Sequence, residues 1–97
     1  ALSSQMAALS RKSTGNHAYR SSKAALNKVM QVLAEELRGE GIVVCPVHPG
    51  WVRTDMGGHS AELGVEECVE GLFELATTLT FEHSGRFWTW DGQEHPW

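Results

Sequence analysis

The sequence predicts an α/β fold of about three strands and two main helices. Three observations carry that reading. Two stretches repeat apolar residues at helical spacing. One short run between them is almost wholly apolar and largely β-branched. The pieces follow one another as strand end, helix, strand, loop, helix, strand, which is the rhythm of parallel βαβ units.

Taken in order, Ala1-Leu2-Ser3-Ser4 reads as the C-terminal end of a strand. From Ala18 to Leu37 the residues Leu26, Val29, Met30, Leu33 and Leu37 form the stripe of an amphipathic helix. Asn16 or Thr14 is placed to cap its start, and Gly39 and Gly41 to end it. Ile42-Val43-Val44-Cys45-Pro46-Val47 lacks alternation, as expected of a parallel strand covered on both faces. Pro46, which cannot donate to a ladder, is placed at its last turn. His48 to Ser60 is a loop. Val65, Val69, Leu72, Phe73, Ala76 and Leu79 then make a second helical stripe, with Glu66, Glu67, Glu70 and Glu74 mostly opposite. Gly71 within it costs about 1 kcal/mol relative to alanine and signals close packing. Gly85 to Trp90 is aromatic and β-favouring, and Asp91-Gly92 closes it as a turn.

Composition narrows the function classes. Eight basic residues against twelve acidic ones, a net charge of −4, give no electrostatic footprint for nucleic acid or for a polybasic membrane contact. No apolar run approaches the roughly 18 residues needed to span a bilayer, and the first residues do not read as a secretory signal. Cys45 and Cys68 form no CxxC pair and read as buried small residues in a reducing, cytoplasmic setting. His48, His59, His83 and His95 share no metal-ligand spacing, so no metal is expected. A hydrolase triad of Ser4, His17 and Asp55 lacks the GxSxG elbow.

The chemistry concentrates elsewhere. Tyr19 and Lys23 stand four residues apart at the start of the first helix, so both side chains leave the same face. A free phenol titrates near pH 10, and a neighbouring ammonium favours its anion, so such a pair suits general acid–base work near neutrality. Ser4 stands at a strand's C-terminal end, where parallel α/β sheets bind ligands. His48-Pro49-Gly50-Trp51-Val52-Arg53-Thr54-Asp55 follows the next strand's end. Its Pro and Gly shape a rigid turn, and its amides and the Thr hydroxyl can hold an amide or phosphate group.

Together, Ser4, the Tyr19-Arg20-Ser21-Ser22-Lys23 motif and Pro49-Gly50-Trp51-Val52-Arg53-Thr54 resemble the short-chain dehydrogenase/reductase family, in its order and at near-family spacing. The likeness covers essentially the whole chain. AYRSSKAALN, HPGWVRTDMGG and GRFWTWDGQEHPW look most like its small carbonyl-reductase branch. The resemblance implies the C-terminal portion of a doubly wound parallel-sheet (Rossmann) fold, residues 1–97 forming its catalytic and substrate-side part, with the dinucleotide-binding half absent. It implies a hydride transfer between NADP or NAD, NADP being favoured, and a small carbonyl or alcohol substrate.

In that scheme Tyr19 is the proton donor in reduction and the base in oxidation. Lys23 favours its phenolate form and holds the nicotinamide ribose, and Ser4 orients the carbonyl. Pro49, Gly50, Val52 and Thr54 flank the nicotinamide, with Val52 on its carboxamide and Thr54 on the carboxamide or the pyrophosphate. Ser3 and Ser10 compete with Ser4, which matches the second serine of the family's strand-end pair. The Ser4-to-Tyr19 connection is slightly longer than is usual. The resemblance further implies a homo-oligomer through the Tyr-Lys helix, and an isolated 97-residue piece without activity. The alternative is a non-catalytic relative acting as an interaction module through that helix.

Overall fold

A computed structural model describes all 97 residues. Its main elements are α1 (His17–Leu37), β1 (Val47–His48), α2 (Val65–Thr78), β2 (Phe87–Thr89) and β3 (Glu94–His95), with short 3₁₀ turns at Gln5–Ala7, Arg38–Glu40 and Phe81–His83. The sheet order is β1-β2-β3. The first pair is parallel, with Val47 opposite Trp88, and the second antiparallel, with Phe87 opposite His95. Leu2 adds a parallel bridge to Val47 on the other side of β1. The sheet is therefore mixed, and the first expected strand contributes a single bridge.

Side-chain alternation places the helices. Cys45, Val47 and Trp88 form a buried cluster with Leu75, flanked by Val43, Leu72 and Leu79, so α2 covers that face. Ser3 bonds Asn27 of α1, and Ala34 of the same helix lies against Gly85, so α1 covers the opposite face. This is a portion of a doubly wound α/β fold, as the sequence predicts. None of its helices is long and apolar enough to cross a membrane.

Several local expectations are corrected. The ladder runs past Pro46 to His48. Pro46 forgoes a donor yet accepts from Trp88 N at 3.1 Å. Before it, Val44 is held by Ser84, whose Oγ accepts from Val44 N at 3.0 Å and donates to Val44 O at 3.3 Å, a side chain standing in for a strand partner. Neither Thr14 nor the Asn16 side chain caps α1. Asn16 takes the left-handed conformation (φ 54°), and Arg20 ties the preceding turn by donating to Gly15 O at 2.9 Å and Ser13 Oγ at 3.1 Å. At the other end, Gly41, not Gly39, adopts the positive φ that stops the helix. The buried side of α2 is Cys68 and Leu75, with Leu72 and Leu79 partly covered, while Val65, Val69 and Phe73 are exposed. The close packing expected at Gly71 is present, against Trp90.

Candidate active site

Ser4 is buried at the start of the Gln5–Ala7 turn, where its Oγ accepts from Met6 N at 3.1 Å. That role uses a lone pair and leaves the hydroxyl proton available. Ser3, also buried, is committed twice: its N–H donates to Val47 O at 2.7 Å and its Oγ donates to Asn27 Oδ1 at 2.6 Å. Ser10 is exposed, six residues beyond Ser4 in the chain. The 3₁₀ turn that Ser4 opens packs on α1, which brings the serine's segment against the helix of Tyr19 and Lys23.

Those two lie on the first turns of α1. The Lys23 ammonium sits 5.8 Å from the Tyr19 ring centroid, within cation–π reach. Neither joins an ion pair, so no carboxylate competes for the ammonium. Tyr19 is at the edge of exposure, 36% accessible, and Lys23 is half-buried. A groove of about 400 Å³ lies between the Met6–Ser13 segment and α1, lined by Ala8, Leu9, Arg11, His17, Arg20 and neighbours but by neither Tyr19 nor Lys23.

The segment after β1 is built with little slack. Gly50 has φ +90°, and a Cβ there would stand 2.7 Å from Leu63 Cδ2 and 3.0 Å from Trp90 Cδ1, so only glycine fits. The Pro49 carbonyl accepts from the Cys68 thiol at 3.1 Å. Val52 bridges Leu63, with Arg53 N donating to Leu63 O at 2.8 Å and Leu63 N to Trp51 O at 3.1 Å. Thr54 closes the following turn by accepting from Gly57 N at 3.1 Å. Arg53 braces the loop through the Ala61 and Glu62 carbonyls, each at 3.2 Å.

One group in this loop suits a nicotinamide. The Val52 N–H has no acceptor within the chain, and an unpaired main-chain donor is what a carboxamide oxygen requires. The unpaired Lys23 ammonium likewise suits ribose hydroxyls. These residues fit the cofactor's nicotinamide half.

His48, at the end of β1, is pushed down to about 4, chiefly by burial, with His95 and Arg11 adding to the effect and Asp91 opposing it. Its ring is therefore neutral near pH 7. Burial also raises both thiols, Cys45 and Cys68, which keeps them protonated and unreactive. A second groove, about 450 Å³, lies elsewhere, between α2 and the Leu2 and Val43–Val47 edge, and its lining is wholly hydrophobic. It offers no group for acid–base work.

The family model described as short chain dehydrogenase matches residues 2–63. The chain belongs to the short-chain dehydrogenase family. Among curated relatives, it is 48% identical over 83 residues to C-signal of Myxococcus xanthus, covering 86% of this chain and 50% of that one. Among solved structures, the carbonyl reductase Sniffer of D. melanogaster superposes with a TM-score of 0.95 at 35% identity, over 99% of this chain and 39% of that one. An NADPH-bound carbonyl reductase from chicken fatty liver gives 0.91 at 33% identity, over 99% of this chain and 41% of its own. The chain thus spans about half the length of the first curated relative and about two fifths of these structures.

Three residues to which the sequence assigns no role in the site also shape it. Trp90 wedges beneath both Gly50 and Gly71, Cys68 holds the Pro49 carbonyl, and Asn27 receives Ser3. Of these, Asn27 carried a legible signal, a polar residue beside Leu26 and Met30 and four positions beyond Lys23.

Proposed function

We propose that these residues form the catalytic and substrate-side part of an NAD(P)-dependent carbonyl reductase or alcohol dehydrogenase. The observation that carries the reading is the Lys23 ammonium beside Tyr19 with no carboxylate to neutralise it. The nicotinamide cofactor supplies the hydride in reduction and receives it in oxidation. The chain's own residues manage the proton and the alignment. Tyr19 Oη donates its proton to the substrate oxygen in reduction and takes it back in oxidation. Lys23 stabilises the phenolate left behind and holds the ribose hydroxyls. The Ser4 hydroxyl donates to the same substrate oxygen as negative charge develops there. Val52 N–H holds the carboxamide, the Thr54 hydroxyl holds the carboxamide or pyrophosphate, and Pro49 and Gly50 shape the wall beside the ring. The NADPH bound by the chicken reductase favours NADP over NAD.

Lys23→Ala tests this in the intact protein. It is expected to weaken NADPH binding about tenfold or more and to lower turnover by about 10² or more, since both ribose contacts and phenolate stabilisation go. Unchanged affinity in a fluorescence titration contradicts the ribose role.

A second reading has its own observation. Val29 and Val32 on α1 are 51% and 45% exposed, which favours α1 as an assembly face, whether in a homo-oligomer of the enzyme or in a non-catalytic interaction module. Val29→Asp with Val32→Asp is expected to lower the molar mass seen by light scattering. An unchanged mass removes α1 from the interface.

A further inference from the structure

We propose that Asn27 is a positioning residue for the reaction set out above: through Ser3 it fixes the strand end bearing Ser4 against the helix face bearing Tyr19 and Lys23. The inference rests on that reading of Ser4, Tyr19 and Lys23. Residues 19, 23 and 27 follow at successive four-residue steps along α1, so they share one side of the helix. Asn27 is 4% exposed and Ser3 is 5% exposed, and the hydroxyl of the second donates to the amide oxygen of the first at 2.6 Å.

Ser3 is the residue before Ser4, and its main-chain N–H is already bonded to Val47 O at 2.7 Å. The strand end is thereby tied to β1 through its backbone and to α1 through a side chain. A displacement of the Ser3–Ser4 strand end off β1 or off α1 breaks one of the two ties.

Energetics single out this bond. Asparagine is a poor residue for a helix interior, and a buried amide is costly unless it is bonded. Here the Nδ2 group has no partner in the chain, so the amide is only half satisfied. Such a pair is a worse stabiliser than an apolar contact would be. What it supplies in exchange is direction, since a short hydrogen bond between two buried groups fixes the depth at which the serine segment sits on the helix. A reaction that needs the Ser4 and Tyr19 hydroxyls on one substrate oxygen, with Lys23 beside the phenol, is sensitive to that depth, and a misplacement of about 1 Å can cost about 10² in rate.

The test uses the intact protein, NADPH and 4-nitrobenzaldehyde as probe substrate, well below each variant's melting temperature. Ser3→Ala and Asn27→Leu are each expected to lower kcat about 10- to 100-fold. NADPH affinity should stay within about twofold of the parent, and the double variant should be no slower than the slower single one, as for two residues acting through one bond. Ser3→Thr, which keeps the hydroxyl, should retain kcat within about threefold. Single variants at parental kcat, or losses that multiply in the double variant, overturn the proposal. So does turnover retained in Ser4→Ala, which transfers the hydroxyl's role to Ser3. Should Asn27→Leu fail to fold, the contrast between Ser3→Ala and Ser3→Thr decides, equal rates for the two counting against the tie. Tyr19→Phe run alongside separates the levels: inactive Tyr19→Phe with unaffected Ser3→Ala and Asn27→Leu removes only the positioning role, and active Tyr19→Phe removes the reading beneath it.

Discussion

His48 ties the site to pH. It ends β1 one residue before Pro49, and its pKa is pushed down to about 4 from an ordinary 6.5, first by burial and then by His95 and Arg11, against the pull of Asp91. Between those two values the unfolded chain binds a proton on this ring and the folded chain does not. The stabilising contribution of the neutral ring is therefore complete above about pH 6.5 and is lost as pH falls toward about 4. Urea titrations across that window should show the protein losing more stability on acidification than His48→Gln does. Parallel curves for the two would contradict a buried neutral imidazole. Some of the site at this scale was readable in the sequence: the four-residue spacing of Tyr19 and Lys23 predicts a shared helix face, and the ammonium does lie 5.8 Å from the ring. The tie between Ser3 and Asn27 was not, because partners 24 positions apart meet only when the strand end lies on the helix.

At the scale of elements, α2 is held to the sheet by contact with Trp90. Gly71→Ala ought to gain about 1 kcal/mol of helix propensity. The added Cβ, however, would lie 2.5 Å from Trp90 Cε3 and 2.8 Å from the Trp90 carbonyl oxygen, and a main-chain atom cannot swing aside. Overpacking of this kind costs about 1–3 kcal/mol, so the variant should be net less stable in chemical denaturation. A net gain would mean that α2 does not sit on Trp90. Both helices were legible almost to the residue, α1 beginning at His17 where Ala18 was expected and α2 ending at Thr78, next to Leu79.

Which face of α2 is buried was not legible. The helix carries apolar residues on two sides, and periodicity cannot choose between Cys68 with Leu75 and Val65 with Val69 and Phe73. The strands were read less well. The β1 ladder depends on what pairs with it, and in the stretch before it a serine side chain does that work. β3, two residues beside Pro96, has no alternation to detect.

The whole molecule is open for its size. Its accessible surface is 6402 Å², whereas a compact monomer of 10.7 kDa has about 5500 Å². Its radius of gyration, 13.7 Å, likewise exceeds the roughly 12.5 Å of a compact 97-residue domain. The apolar groove along Leu2, Val43, Cys45, Leu72 and Leu75 is part of that excess, and the buried cluster beneath α2 comprises Cys45, Val47, Leu75 and Trp88. The proposed proton transfer turns on one oxygen atom. Turnover of NADPH with a carbonyl substrate, measured beside NADPH affinity in the intact protein and in its Tyr19→Phe variant, probes that atom alone. Affinity should stay within about twofold while kcat falls by about 10³ or more, because only the proton-donating oxygen has gone. Turnover near the parental rate in Tyr19→Phe would show that the proton comes from elsewhere.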